Sequence, residues 1–190
     1  MFIRSELLEK IFFLHSFKAL LICYFCFFFC VPVFSQNTLN VPSQYSTIQE
    51  AINSAESGDV VLVSPGLYLE NLEIINTITL ISTNGSDQTT INGANTNTSV
   101  IDVNTNGSVE IDGFTIENGV GEGGGGEEAG GILFRGGSQN ILKNSTIQNN
   151  TTTSNYGGAG IHMAEFSNLI IDCCVIQNNA SSGKGGGIAI

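Results

Sequence analysis

The sequence predicts an all-β parallel β-helix, a solenoid of about four to five coils with an N-terminal capping helix, and three observations predict it. Two short words recur together down the second half of the chain at a common spacing, in the range that marks stacked structural repeats. Inside each word the apolar residues alternate at period 2, which is the signature of a strand. No helical stripe interrupts them. The first word reads VEIDGFTIENG (Val109–Gly119), NILKNSTIQNN (Asn140–Asn150) and LIIDCCVIQNN (Leu169–Asn179), with Ile116, Ile147 and Ile176 at equivalent places in the three copies. The second word ends in GGILF at Phe134, GAGIHM at Met163 and GGGIAI at Ile190. A composition with 12% charged residues and 23 glycines suits a turn-rich β protein.

Taken in order, the chain opens with an export signal over residues 1–35. Lys18 precedes the unbroken apolar run Ala19–Phe34, and Ser35 supplies a small residue at the cut. A membrane anchor is the alternative, although the run is shorter than the ~20 residues of a spanning helix. Residues 36–58 should form a strand and a helix. Ser46 with Gln49, or Thr47 with Glu50, makes a capping box, and Ile48, Ala51, Ile52 and Ala55 share one helical face. This helix should plug the open end of the stack, where apolar interior and unpaired strand edges need cover. Residues 59–190 are the coils, with Pro65-Gly66 as an early turn. The sequence reaches Ile190 in mid-strand with no capping segment, so the expectation is a C-terminally truncated piece of a longer solenoid.

Alternation assigns the faces. Ile111, Leu142 and Ile171 should point inward, with Phe114, Ser145 and Cys174, then Ile116, Ile147 and Ile176. In the second word Ile132, Ile161 and Ile188 stack inside beside Phe134, Met163 and Ile190. The next inward step is Asn118, Asn149 and Asn178, an expected asparagine ladder at a turn. Leu133, His162 and Ala189 should face outward.

Charge narrows the partners. Without residues 1–35 the chain keeps three basic and 15 acidic residues, a formal −12. Such a surface repels phosphate backbones, which excludes nucleic acid, and repels acidic polysaccharides unless divalent cations bridge them. Only Cys173 and Cys174 remain outside the signal, and strand neighbours point to opposite faces, so no disulfide framework exists.

No catalytic, cofactor or metal constellation emerges. His162 has no carboxylate partner in register, and Glu165 and Asp172 read as solvated surface. The loop GVGEGGGGEEAGG (Gly119–Gly131) lacks the Lys and Ser or Thr of a phosphate-binding loop. Glu122, Glu127 and Glu128 in that loop are the nearest approach to a calcium site. The outward positions Thr115, Thr146 and Val175 form a flat strip available for binding.

The words TIQEAINSAESGDVVLVSPGLYLENLEI, ITLISTNGSDQTTING and VEIDGFTIENG resemble the opening of right-handed β-helix proteins of the pectin-lyase-like superfamily, including its pectinesterase-type and NosD-like branches. The GGGI and IQNN words are similar to repeats of bacterial surface β-helix proteins. The resemblance spans Val41–Ile190 and implies a right-handed winding. The enzymes that this resemblance implies need a basic residue, of which the coils offer Arg135, Lys143, Lys184 and His162, or paired carboxylates in one cleft. The lyase, hydrolase and esterase motifs are not matched. The expectation is a secreted or cell-surface solenoid, structural, adhesive or glycan-binding, meeting polysaccharide or surface glycan and touching membrane only through its signal. The alternatives are a carbohydrate-active enzyme with its site in further coils and, on the NosD-like likeness alone, an aid to metal-site assembly.

Overall fold

The structure, a computed structural model, describes residues 35–93, 97–122, 128–164 and 167–190. The expected export signal lies outside the described residues except for Ser35, as do Glu127 and Glu165. Gln36–Ile190 forms one compact unit. It is a parallel β-solenoid of about four coils with one short helix. Among the described residues no helix is long and apolar enough to cross a membrane.

Each coil contributes a strand to each of three main sheets. Sheet A stacks β1 (Thr38–Val41), β2 (Val60–Val63), β5 (Thr79–Ser82), β8 (Glu110–Asp112), β12 (Asn140–Lys143) and β16 (Leu169–Asp172). Sheet B stacks β3 (Gly66–Tyr68), β6 (Thr89–Asn92), β9 (Thr115–Glu117), β13 (Thr146–Gln148) and β17 (Val175–Gln177). Sheet C stacks β4 (Leu72–Ile74), β7 (Ile101–Val103), β11 (Ile132–Phe134), β15 (Ile161–Met163) and β19 (Ile188–Ala189). A small sheet D joins β10 (Val120–Gly121), β14 (Thr151–Thr152) and β18 (Ala180–Ser181). Every pairing is parallel, because each strand meets its equivalent one coil away.

The register realises the columns. Ile116, Ile147 and Ile176 are partners across β9, β13 and β17, and the first two are fully buried. Ile111 stacks on Leu142, and Ile132 on Ile161, all at 0% exposure. Each such side chain contributes about 1.5–3 kcal/mol by leaving water. Ser145 lies inward beneath this column, where its Oγ accepts from the backbone N–H of Gly113 and Phe114 (both 3.2 Å) and donates to Lys143 O (2.8 Å). A polar side chain is tolerated there because its hydrogen bonds close locally.

The helix α1 (Ile48–Ser54) covers the first coil and buries Ile48, Ala51 and Ile52. Thr47 and Glu50 form the capping box, and the Glu50 carboxylate also accepts from Ser46 Oγ at 2.6 Å, which holds that carboxyl below its ordinary pKa. Glu70 takes two further N–H groups of the first turn, those of Ile48 (3.0 Å) and Gln49 (2.9 Å). The Gln49 amide then acts as a strand: it donates to Glu73 O (3.1 Å) and accepts from Glu73 N–H (2.8 Å), satisfying β4 where sheet C has no preceding strand.

Three expectations are corrected. The inward asparagine row is not Asn118, Asn149 and Asn178. These adopt positive φ of 58°, 55° and 55°, and the left-handed corner turns them out of the core. That corner resets the alternation, so the next residue points in. Asn150 is fully buried: its Oδ1 accepts from Gly119 N–H (2.9 Å), and its Nδ2 donates to Ile116 O (3.1 Å) and Asn179 Oδ1 (3.0 Å). Asn179 repeats the pattern with Ile147 O at 2.9 Å.

The second correction is His162, which is 3% exposed and not on the surface, with Leu133 at 0% and Ala189 at 6%. The glycine-rich segments that lead into β11, β15 and β19 stack on one another and cover this row. Gly158 sits where an added Cβ would stand 3.1 Å from the Ala189 Cβ. The third concerns the last coil. Ile171, Ile188 and Ile190 are 38%, 40% and 87% exposed, since no described coil lies above them, whereas Cys174 and Ile176 do point inward and pack against the core.

Candidate functional site

A concavity lies on the outer face of sheet C. In β4 and β7 the residues between the buried pairs Leu72/Ile74 and Ile101/Val103 are Glu73 and Asp102, so alternation sends both outward. They are register partners in successive coils, their backbones about 4.8 Å apart. Around them opens a groove of about 340 Å³, also lined by Asn71, Asn97, Ser99, Glu122, Glu128 and Arg135.

The groove is organised by its own hydrogen bonds. Arg135 follows β11 and reaches back one coil, its Nε donating to both carboxylate oxygens of Asp102 (3.1 and 3.0 Å) while Nη2 stands 3.8 Å from Glu128. Asn97 Nδ2 donates to Glu122 at 2.5 Å. Asn71 Nδ2 donates to Ser99 O (2.8 Å), and Ser99 Oγ to Ala129 O (2.7 Å), which pins one wall. Four carboxylates against one guanidinium give the lining a formal charge of −3. Oxygen acceptors held at fixed positions suit hydroxyl donors. Among the described residues no three His, Cys, Asp or Glu side chains converge closely enough to hold a metal ion.

Of the basic residues expected as candidates, Arg135 lies in the groove, and Lys143 and Lys184 are engaged elsewhere. Lys143 Nζ lies 2.6 Å from Glu110 and 3.6 Å from Asp112, and the Glu110 carboxylate raises its pKa, the wrong direction for a proton-abstracting base. Lys184 sits over the Tyr156 ring at 5.6 Å. Cys173 occupies an exposed left-handed corner (φ 52°) beside Asp172, which raises its pKa, and burial raises that of Cys174. Neither thiol is activated.

Thr115, Thr146 and Val175 do form a row on the outer face of sheet B. The row beside it is closed on itself: Glu117 accepts from Asn92 (3.3 Å) and Gln148 (2.9 Å), and Gln148 from Gln177 (3.1 Å). Of the loop glutamates, Glu122 and Glu128 sit on the groove rim. The sequence reading passed over Glu73 and Asp102. The signal that could have found them is an acid at the middle position of two short apolar triplets, LEI and IDV.

No family model and no curated protein matches the chain. Among solved structures it is similar to the pectin methylesterase from Aspergillus niger in deglycosylated form, at 17% identity and a TM-score of 0.40, covering 80% of this chain and 62% of that one. The penultimately deglycosylated form of that enzyme gives 17%, 0.40, 79% and 61%. The chain therefore spans less than two thirds of the length of these structures.

Proposed function

We propose that the protein is an exported, non-catalytic β-solenoid that binds a neutral saccharide in the groove on sheet C. The observation that carries this reading is the set of acceptors in the groove, with Asp102 held by Arg135 and Glu122 by Asn97 before any ligand arrives. Preformed acceptors lose little entropy on binding, and a lining of −3 favours hydroxyl donors over uronate carboxylates. Export and display at the cell surface rest on the apolar run Ala19–Phe34 and the small residue that follows it.

The test is titration calorimetry of the full chain against neutral gluco-, manno- and N-acetylglucosamine oligosaccharides, with oligogalacturonate as the anionic comparison. Binding to a neutral oligomer that Asp102→Asn weakens at least tenfold supports the reading. Binding that ignores Asp102→Asn, or preference for oligogalacturonate, defeats it.

One observation favours a second reading, a carbohydrate hydrolase. Glu73 and Asp102 are carboxylates on neighbouring rungs of one open groove, an arrangement that paired-carboxylate hydrolysis uses. Release of new reducing ends from the same oligomers, abolished in Glu73→Gln, would establish it. Unchanged oligomer lengths after prolonged incubation would remove it.

A further inference from the structure

We infer that the groove reads the end of a saccharide chain and not its interior, holding about two sugar units. This rests on the saccharide reading above and adds to it the shape of the site. The outward row of sheet C runs Glu73, Asp102, Leu133, His162, Ala189 in register. Its first member is exposed and its second partly so, while the last three are sealed at 0%, 3% and 6%. The open floor therefore covers two rungs, about 10 Å of axial length.

The far side is walled. Arg135 spans from Asp102 to Glu128, and behind it the backbone of Glu128 meets Gly157 so closely that an added Cβ on the glycine would stand 1.6 Å from Glu128 O. Gly158 then lies against Ala189, so the two glycine-rich segments leave no channel along β15 and β19. The near side is open. Sheet C begins at β4, where the Gln49 amide meets Glu73 through its backbone, and the Glu73 side chain is exposed. A volume of about 340 Å³ stands at the low end of small-molecule sites, roughly 300–1,000 Å³. The interior of a polymer needs two exits from its cleft. Along the solenoid axis, the described residues close this groove at its Glu128 side and leave it open at its Glu73 side.

The experiment is a length series on the full chain: mono- to hexasaccharides of β-linked glucose, mannose and N-acetylglucosamine, titrated into wild type and Asp102→Asn. The expected result is an affinity that rises at least tenfold from one unit to two and then stays within about twofold out to six. A long oligomer tethered through one end should bind, and the same oligomer tethered through its other end should not. Affinity that climbs with every added unit, or equal binding in both tethered orientations, overturns end recognition while leaving the groove as a saccharide site. Failure of every oligomer to bind, or binding indifferent to Asp102→Asn, overturns the saccharide reading itself and this inference with it.

Discussion

The outward row of sheet C changes character along the molecule. In β4 and β7 it is acidic and open to solvent; in β11, β15 and β19 the equivalent positions are Leu133, His162 and Ala189, buried under glycine-rich segments. The backbone is the same in both regions, and parallel register places the same atoms on every rung. What differs is the chain that leads into each strand. Before β11, β15 and β19 it is glycine-rich, and it packs against its counterpart in the next coil closely enough that a Cβ at Gly130 would fall 2.8 Å from Ala159 O. Before β4 and β7 it carries Asn71 and Asn97–Ser99, which line the groove. Regular coils close the surface and irregular coils open it, so the candidate site falls where the repeat is weakest.

The largest effect that would break this contrast comes from equivalent truncations in the two regions. Leu133→Ala should cost about 2–5 kcal/mol in urea unfolding because it leaves a cavity in a sealed layer. Glu73→Ala, on the same row, should shift stability by no more than about 0.5 kcal/mol. Equal losses would mean that the row is not divided.

A smaller effect separates the two asparagines of the IQNN corner. Asn150→Ala strands the Gly119 N–H and the Ile116 carbonyl in the core, at about 1–3 kcal/mol for an unsatisfied buried group. Asn149→Gly should be neutral or mildly stabilising, since glycine enters the left-handed region freely and the Asn149 side chain is exposed. Thermal unfolding of both variants decides it, and the reverse order would restore Asn149 as the ladder residue.

In the groove, Asp102→Asn should lower saccharide affinity at least tenfold with little change in unfolding midpoint, because its partner Arg135 is partly exposed and such surface pairs contribute little. A large loss of stability would make the Arg135–Asp102 pair structural.

The smallest effect belongs to the first turn of the solenoid. Asp59 accepts from Asn37 N–H (2.8 Å) and Glu56 N–H (2.9 Å), and these bonds, that to Asn37 first, hold its carboxyl below the ordinary aspartate value. A depressed folded-state pKa gives stability that is full above the unfolded value, about 3.9, and is lost as pH falls through the folded one. Wild type should therefore exceed Asp59→Asn in stability at pH 6, and the gap should close in titrations below about pH 4. A gap independent of pH would show that charge at Asp59 is irrelevant.

The fold was readable because periodicity is a property of sequence. Ile116, Ile147 and Ile176 announce a column without reference to anything else, and the capping box at Thr47 and Glu50 is local chemistry. The failures share a cause. Strict alternation was carried through Asn118 and Asn149, where a left-handed residue inserts a half-step that no apolar pattern records. Alternation also placed His162 outside correctly with respect to the sheet, yet could not show that Gly157–Gly160 covers that outside. Glu73 and Asp102 stayed hidden because neither belongs to a repeated word, and their meeting depends on a register in which a whole coil of chain separates them.

The most direct test of stacking in register is a pair of engineered cross-links on the outer face of sheet B, made in a background with the five native cysteines changed to serine. Thr115 and Thr146 are rung partners, about 4.8 Å apart and within disulfide reach, whereas Gln148 is the partner of Glu117 and lies diagonally beyond it from Thr115. Peptide mapping after mild oxidation should find Thr115→Cys joined to Thr146→Cys in nearly all molecules, and Thr115→Cys with Gln148→Cys left reduced. A cross-link in the second pair and none in the first would contradict the register, and with it the placement of the groove.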